Sequence, residues 1–228
     1  MSDLRLVVFD MDGTLIDSQY VIIEAMRRAF MKLNLPAPRD EQTRSIIGLS
    51  LDEAISTIAP ELSPGKLVEG VEAYKQSFVE LRAESGAVAT AEMYPGARAA
   101  LERLHQQDET LLGVATGKAR RGLDHAYASH DIGHYFVTHQ TADDHPSKPH
   151  PSMLHQALLD TGVDVERAVM IGDTEFDMVM GKAAGFATVG VSWGYHSLDR
   201  LSAEKPDVII DRFTELDEAL SEIWRVRA

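Results

Sequence analysis

The stretch Leu4-Arg5-Leu6-Val7-Val8-Phe9-Asp10-Met11-Asp12-Gly13-Thr14 decides how this chain is read. Its first part is a short apolar run, which predicts a strand covered on both faces. The run gives way at once to two carboxylates and a glycine suited to a tight turn. Asp10 and Asp12 are two apart, so in an extended chain both point to one side. An Asp-rich turn after a strand is common by itself, but here a second one follows. Val169-Met170-Ile171-Gly172-Asp173 also closes an apolar run with a carboxylate, and Asp177 comes four residues later. In a parallel sheet the C-terminal ends of all strands share one edge, so Asp173 is expected to meet Asp10 and Asp12 there. Such a group of carboxylates stays ionised only beside a cation. Oxygen-only ligands favour a hard ion such as Mg²⁺.

Working outward, apolar runs at residues 111–115, Ala187–Val191 and Val208–Ile210 add further strands. Helical patterns alternate with them, at residues 95–106, 152–159, 176–184 and 214–226. Strand–helix alternation with apolar strands predicts an α/β fold with a doubly wound parallel sheet. Residues 17–85 break the pattern. They carry three stripes at helical spacing, beginning at Ile22, Leu51 and Leu67, and no convincing strand. This predicts a helical domain over 17–85 inserted into a core made of 1–16 and 86–228, with residues 86–90 as a hinge. An insertion after a strand's carboxyl end lies over the crevice where open α/β sheets bind ligands, which suits a functional cap better than padding.

Composition narrows the classes. The chain has 228 residues, 44% hydrophobic and 25% charged, as globular domains do. It has no cysteine, which removes disulfides, thiolate metal sites and cysteine nucleophiles. A net charge of −14 argues against nonspecific binding to nucleic acid or an anionic membrane. No signal segment or membrane-length apolar run is present, so a soluble, cytoplasmic protein is expected. Nothing in the sequence fixes an oligomeric state. His150 and His155 are five apart, not the i, i+4 pair of a helical zinc motif, and the methionines suit core filling better than a cofactor site.

Two further features suit an anion. Leu112-Gly113-Val114-Ala115-Thr116-Gly117 ends a strand with a hydroxyl and free backbone N–H groups at a helix entrance, a place that binds phosphate. Lys148, in Ser147-Lys148-Pro149, precedes the helix opened by Pro151 and is a candidate to hold a phosphate and offset charge on a nucleophile.

Taken in order, Asp10-Met11-Asp12-Gly13-Thr14, Thr116, Lys148-Pro149 and Gly172-Asp173 with Asp177 resemble the four motifs of the haloacid dehalogenase superfamily. Each motif is weak alone; the ordered set is specific and spans nearly the whole chain. The insertion resembles the C1-type cap of the phosphoglycolate phosphatase-like branch. Two positions depart from common usage. Gly117 stands where Asn is also frequent, and His150 stands where Asp is common; neither carries a core chemical role.

The resemblance implies a phosphatase acting through an aspartyl-phosphate. Asp10 would be the nucleophile and Asp12 the general acid and then base. Thr116, Gly117 and Lys148 would cradle the phosphoryl group. Mg²⁺ would be held by the Asp10 carboxylate, the Asp12 carbonyl and Asp173, with Asp177 one layer out. The family's cap turn faces the active site, which makes Arg44, Ser50 and Glu53, around Gly48, candidates to read the leaving group. The substrate implied is a small phosphorylated metabolite, with 2-phosphoglycolate the first guess. A phosphosugar mutase is the alternative. A pyrophosphatase and a non-enzymatic phospho-receiver stand further off, the last because such domains are shorter and carry no cap.

Overall fold

The computed structural model describes residues 4–85 and 91–227; the expected hinge at 86–90 lies outside them. In chain order the elements are β1 (Arg5–Phe9), β2 (Ile16–Asp17), α1 (Gln19–Lys32), α2 (Asp40–Arg44), α3 (Leu51–Ile58), α4 (Pro64–Ser85), β3 (Glu92–Met93), α5 (Ala97–His105), β4 (Thr110–Thr116), α6 (Arg120–His130), β5 (Phe136–Thr141), α7 (Ser152–Thr161), β6 (Ala168–Gly172), α8 (Glu175–Ala183), β7 (Ala187–Val191), α9 (Leu198–Ala203), β8 (Val208–Ile210) and α10 (Leu216–Arg227).

Six strands form one parallel sheet in the order β5-β4-β1-β6-β7-β8. The alternation of side chains along β1 explains why it is covered on both faces. Val7 and Phe9 point into one apolar layer, with Leu101, Leu123, Leu216 and Leu220 from α5, α6 and α10. Leu6 and Val8 point into the other, with Met153, Leu154 and Met180 from α7 and α8. The chain winds from β1 through β4 to β5, then returns to β6 on the other side of β1. The switch point therefore falls between β1 and β6, where open sheets place their ligands.

The sequence shows no sign of β5, and of α6 it shows only an entrance after Gly117. β5 is an edge strand that reads Phe136-Val137-Thr138-His139-Gln140-Thr141. Its buried polar side chains are satisfied locally, with Thr138 Oγ1 and Gln140 Nε2 each donating to Asp160 Oδ2 at 2.7 Å. A strand that buries amides and hydroxyls shows no apolar run. α6 buries Leu123 and Ala126 alone, too little to give a stripe.

Residues 19–85 carry four helices, α1 to α4, between β2 and β3. α1 and α4 pack side by side. Met26, Phe30, Ile46, Ala54 and Ile55 form the core of this insertion against Leu67, Val71 and Tyr74. Its two connections to the sheet domain are themselves paired: β2 and β3 form an antiparallel ladder, Ile16 opposite Met93 and Asp17 opposite Glu92. No helix among the described residues is long and apolar enough to cross a membrane.

Candidate active site

Strand ends bring the site together. Phe9 pairs with Ile171, and the Asp10 N–H donates to the Ile171 carbonyl at 2.9 Å, so Asp10 leaves β1 beside the end of β6. Asp173 follows β6, and Asp177 lies in the first turn of α8. Carboxylate oxygens of Asp10, Asp173 and Asp177 lie within 4.8 Å of one another, all buried. Lys148 is 1% exposed and donates to Asp10 Oδ1 at 2.6 Å and to Asp177 Oδ1 at 2.7 Å. The other oxygen of Asp177 accepts from the Thr174 hydroxyl at 2.7 Å and the Thr174 N–H at 3.1 Å, closing the capping box of α8. Asp177 is thus anchored on both oxygens.

Asp173 accepts from the Thr14 hydroxyl at 3.0 Å and from the Tyr195 N–H at 2.8 Å. Two glycines make room for it. A Cβ at Gly13, whose φ is +92°, would lie 2.2 Å from Asp173 Oδ2, and one at Gly194 would lie 2.0 Å from Asp173 Cβ.

The electrostatics are those of a site missing positive charge. Three buried carboxylates against one ammonium leave two negative charges. Burial, aided by Asp177 and Asp12 and opposed by Lys148, pushes Asp10 up to about 7. Burial and the charges of Asp10 and Asp177 raise Asp173 well above the carboxylate range. Burial works against the charge of Lys148, but Asp10 and Asp177 outweigh it and hold the ammonium more tightly protonated than usual. Asp10 Oδ2 is buried and has no hydrogen-bond partner among the described residues. An orphaned carboxylate oxygen, an oxygen-only donor set and two uncompensated charges fit a hard divalent cation.

The side chain of Asp12 turns elsewhere. It accepts from the Ser18 hydroxyl and from Lys118, whose Nζ lies 2.6 Å from Oδ1 and also reaches Oδ2. The sequence alone does not mark Lys118 as part of the site. Its one signal is position, two residues past Thr116 in the same turn. Thr116 is buried at the end of β4, and its Oγ1 accepts the Lys118 N–H at 3.2 Å. Nor does the sequence mark Ser18, Thr174 or Tyr195.

The cap turn at Gly48 is docked on the loops around the site. The Ser50 N–H donates to Ser147 Oγ at 2.8 Å. Gly48 lies against Thr174 and Phe176, and the carbonyls of Gly48 and Leu49 lie so close to Gly117 that a Cβ there would be 2.5 Å from each. Ser50 therefore sits at a cap–core contact. Glu53 is exposed on α3. Arg44 donates to Gln19 at 3.1 Å and lines a separate cavity of about 330 Å³ with Asp17, Arg27 and Asp40. His150 is exposed, its Nδ1 accepting the Ser152 N–H at 3.2 Å.

A parallel sheet that gathers carboxylates, a hydroxyl and a lysine at one edge, under a helical cap, defines a capped α/β enzyme. Comparison with known proteins then gives the family. The family model described as haloacid dehalogenase-like hydrolase matches residues 7–191. The "Probable phosphatase IndB" of Dickeya dadantii is 36% identical over 216 residues, 92% of this chain and 91% of that protein. A phosphoglycolate phosphatase of Vibrio parahaemolyticus is 31% identical over 227 residues, covering 96% and 97% of the two chains. Among solved structures, a haloacid dehalogenase-like family hydrolase from Streptococcus pneumoniae superposes with a TM-score of 0.80 at 27% identity, over 96% of this chain and 99% of that one. The chain belongs to the haloacid dehalogenase-like hydrolase family, as a phosphatase of its phosphoglycolate phosphatase-like branch.

Proposed function

We propose that this protein is a Mg²⁺-dependent phosphatase that hydrolyses the phosphate monoester of a small metabolite, 2-phosphoglycolate in the first place, in the cytoplasm. The observation that carries the reading is the buried Asp10, held by Lys148 on one oxygen and, among the described residues, without a hydrogen-bond partner on the other, with Asp12 beside it on a different set of partners.

The two aspartates divide the chemistry. Asp10 attacks phosphorus; an oxygen–phosphorus bond forms as the ester bond breaks, and the leaving alkoxide takes its proton from Asp12. In the second half, water attacks the phosphoryl group on Asp10 while Asp12 accepts its proton. Inorganic phosphate leaves and Asp10 is regenerated. Thr116, the Gly117 backbone and Lys148 position the phosphoryl group, the main demand of a loose transition state. Asp10, Asp173 and the Asp12 carbonyl would hold Mg²⁺, with Asp177 keeping Lys148 in place. The ion would neutralise charge on the phosphoryl oxygens and on the carboxylates.

A screen of phosphorylated metabolites after metal stripping tests this. Hydrolysis of 2-phosphoglycolate is expected on adding Mg²⁺, with inhibition by Ca²⁺, whose looser shell can engage both oxygens of Asp10. Full activity in EDTA would remove the metal from the reading. Conversion of a phosphosugar to its isomer, without phosphate release, would favour the mutase.

A further inference from the structure

Beside Asp12 a cavity of about 30 Å³ lies between cap and core, lined among others by Ser18, Phe78, Arg82, Lys118 and His125. Asp12 is its carboxylate, and Lys118 already holds it. Arg82, from the last turns of α4, rests its guanidinium on the Phe78 ring at 4.5 Å; burial first and Arg121 second work against its charge, and Asp12 supports it. Burial, with Arg82 and Lys118 nearby, favours the neutral form of His125. Lys118 and Arg82 thus bring two cations to a cavity whose one lining carboxylate, Asp12, is held by Lys118, in a chain whose net charge is −14.

We propose that Arg82 and Lys118 are the specificity-determining pair, holding a carboxylate on the leaving group of a small hydroxy-acid phosphate. This rests on the phosphatase reading above. The place is right, because Asp12 serves the ester oxygen and the cavity adjoins Asp12. The chemistry is right, because a guanidinium offers a planar fork that matches a carboxylate. Arg82 belongs to the cap and Lys118 to the core, so one carboxylate ties the two domains together. It also competes with Asp12 for Lys118, which returns the Asp12 oxygens to the ester.

Binding of two non-hydrolysable ligands of equal length tests the pair, in the presence of Mg²⁺ and with the full chain. 3-Phosphonopropionate carries the carboxylate; propylphosphonate carries a methyl in its place. The wild-type protein is expected to prefer the first by at least ~10-fold, the scale of one charge-assisted hydrogen bond. Arg82→Gln should bring that ratio close to one, and Arg82→Lys should keep most of it. Arg44→Gln, in its separate cavity, should leave the ratio at the wild-type value. No preference in the wild type, a preference that survives Arg82→Gln, or loss of both ligands alike on Arg82→Gln would each overturn the assignment. A preference lost in Arg82→Gln, in a protein that hydrolyses no phosphate monoester, would uphold the pair and reject the phosphatase chemistry.

Discussion

Asp10 and Asp12 are the same residue two positions apart, yet their surroundings differ in every partner. Asp10 faces Lys148 in the buried cluster; Asp12 faces Lys118 and Ser18 at the cavity. Substitution should therefore separate them. Asp10→Asn removes the nucleophile and should form no phospho-enzyme. Asp12→Asn keeps it but lacks the base for the second step. With p-nitrophenyl phosphate, whose leaving group needs little protonation, Asp12→Asn should accumulate the aspartyl-phosphate, seen by intact mass after acid quench or as a burst of nitrophenolate. An adduct on Asp10→Asn, or normal turnover by Asp12→Asn, would refute this division of labour. Most of this cluster was legible in the sequence, because Asp10, Thr116 and Asp173 sit at or just past the ends of strands and a parallel sheet sends all those ends to one edge. Lys118 and Arg82 were not legible as a pair. They come from different domains, and only the docked cap brings them to one cavity.

At the scale of elements, the cap turn depends on a glycine in the core. The carbonyls facing Gly117 belong to the backbone of Gly48 and Leu49, so they cannot move aside as a flexible side chain would. Gly117→Ala should push the whole turn away from the site and break its register with Ser147. The expected result is a fall in kcat/KM of ~10- to 10²-fold, the scale of a misplacement of about 1 Å near the chemistry, with the urea midpoint of the sheet domain little changed. A wild-type kcat/KM would show that catalysis does not use the docked turn. The elements themselves divide by how they bury their residues. β1, β6 and β7 are covered on both faces and announce themselves as apolar runs. β5 covers itself through Asp160 and α6 through two side chains, and neither leaves a periodic mark.

For the whole molecule, His196 ties stability to pH. It is 5% exposed and stacks edge-on against Phe176, with Nδ1 accepting the Glu175 N–H at 3.3 Å. Burial first, and Arg200 second, lower its pKa from 6.5 to about 4, against the pull of Glu175, Asp177 and the Ser45 backbone. A group whose folded-state pKa is depressed binds its proton more readily when unfolded. The share of stability that rests on neutral His196 should therefore be fully present above pH ~6.5 and drain away between there and pH ~4, by about 3 kcal/mol in total. Urea denaturation across this range checks it. His196→Gln should flatten that part of the profile, and an unaltered slope in the variant would assign the loss to other groups.

The β2–β3 ladder gives the molecule a modular plan. The chain departs from the sheet domain and re-enters it at hydrogen-bonded neighbours, Asp17 opposite Glu92. To the sheet, everything between those two positions is a single long hairpin loop, and the entropy of closing a loop grows only with the logarithm of its length. A cassette joined this way can lengthen, shorten or be exchanged without disturbing the strand order behind it. The edge of the sheet and the helices inserted beside it are thus free to diverge at different rates within one chain.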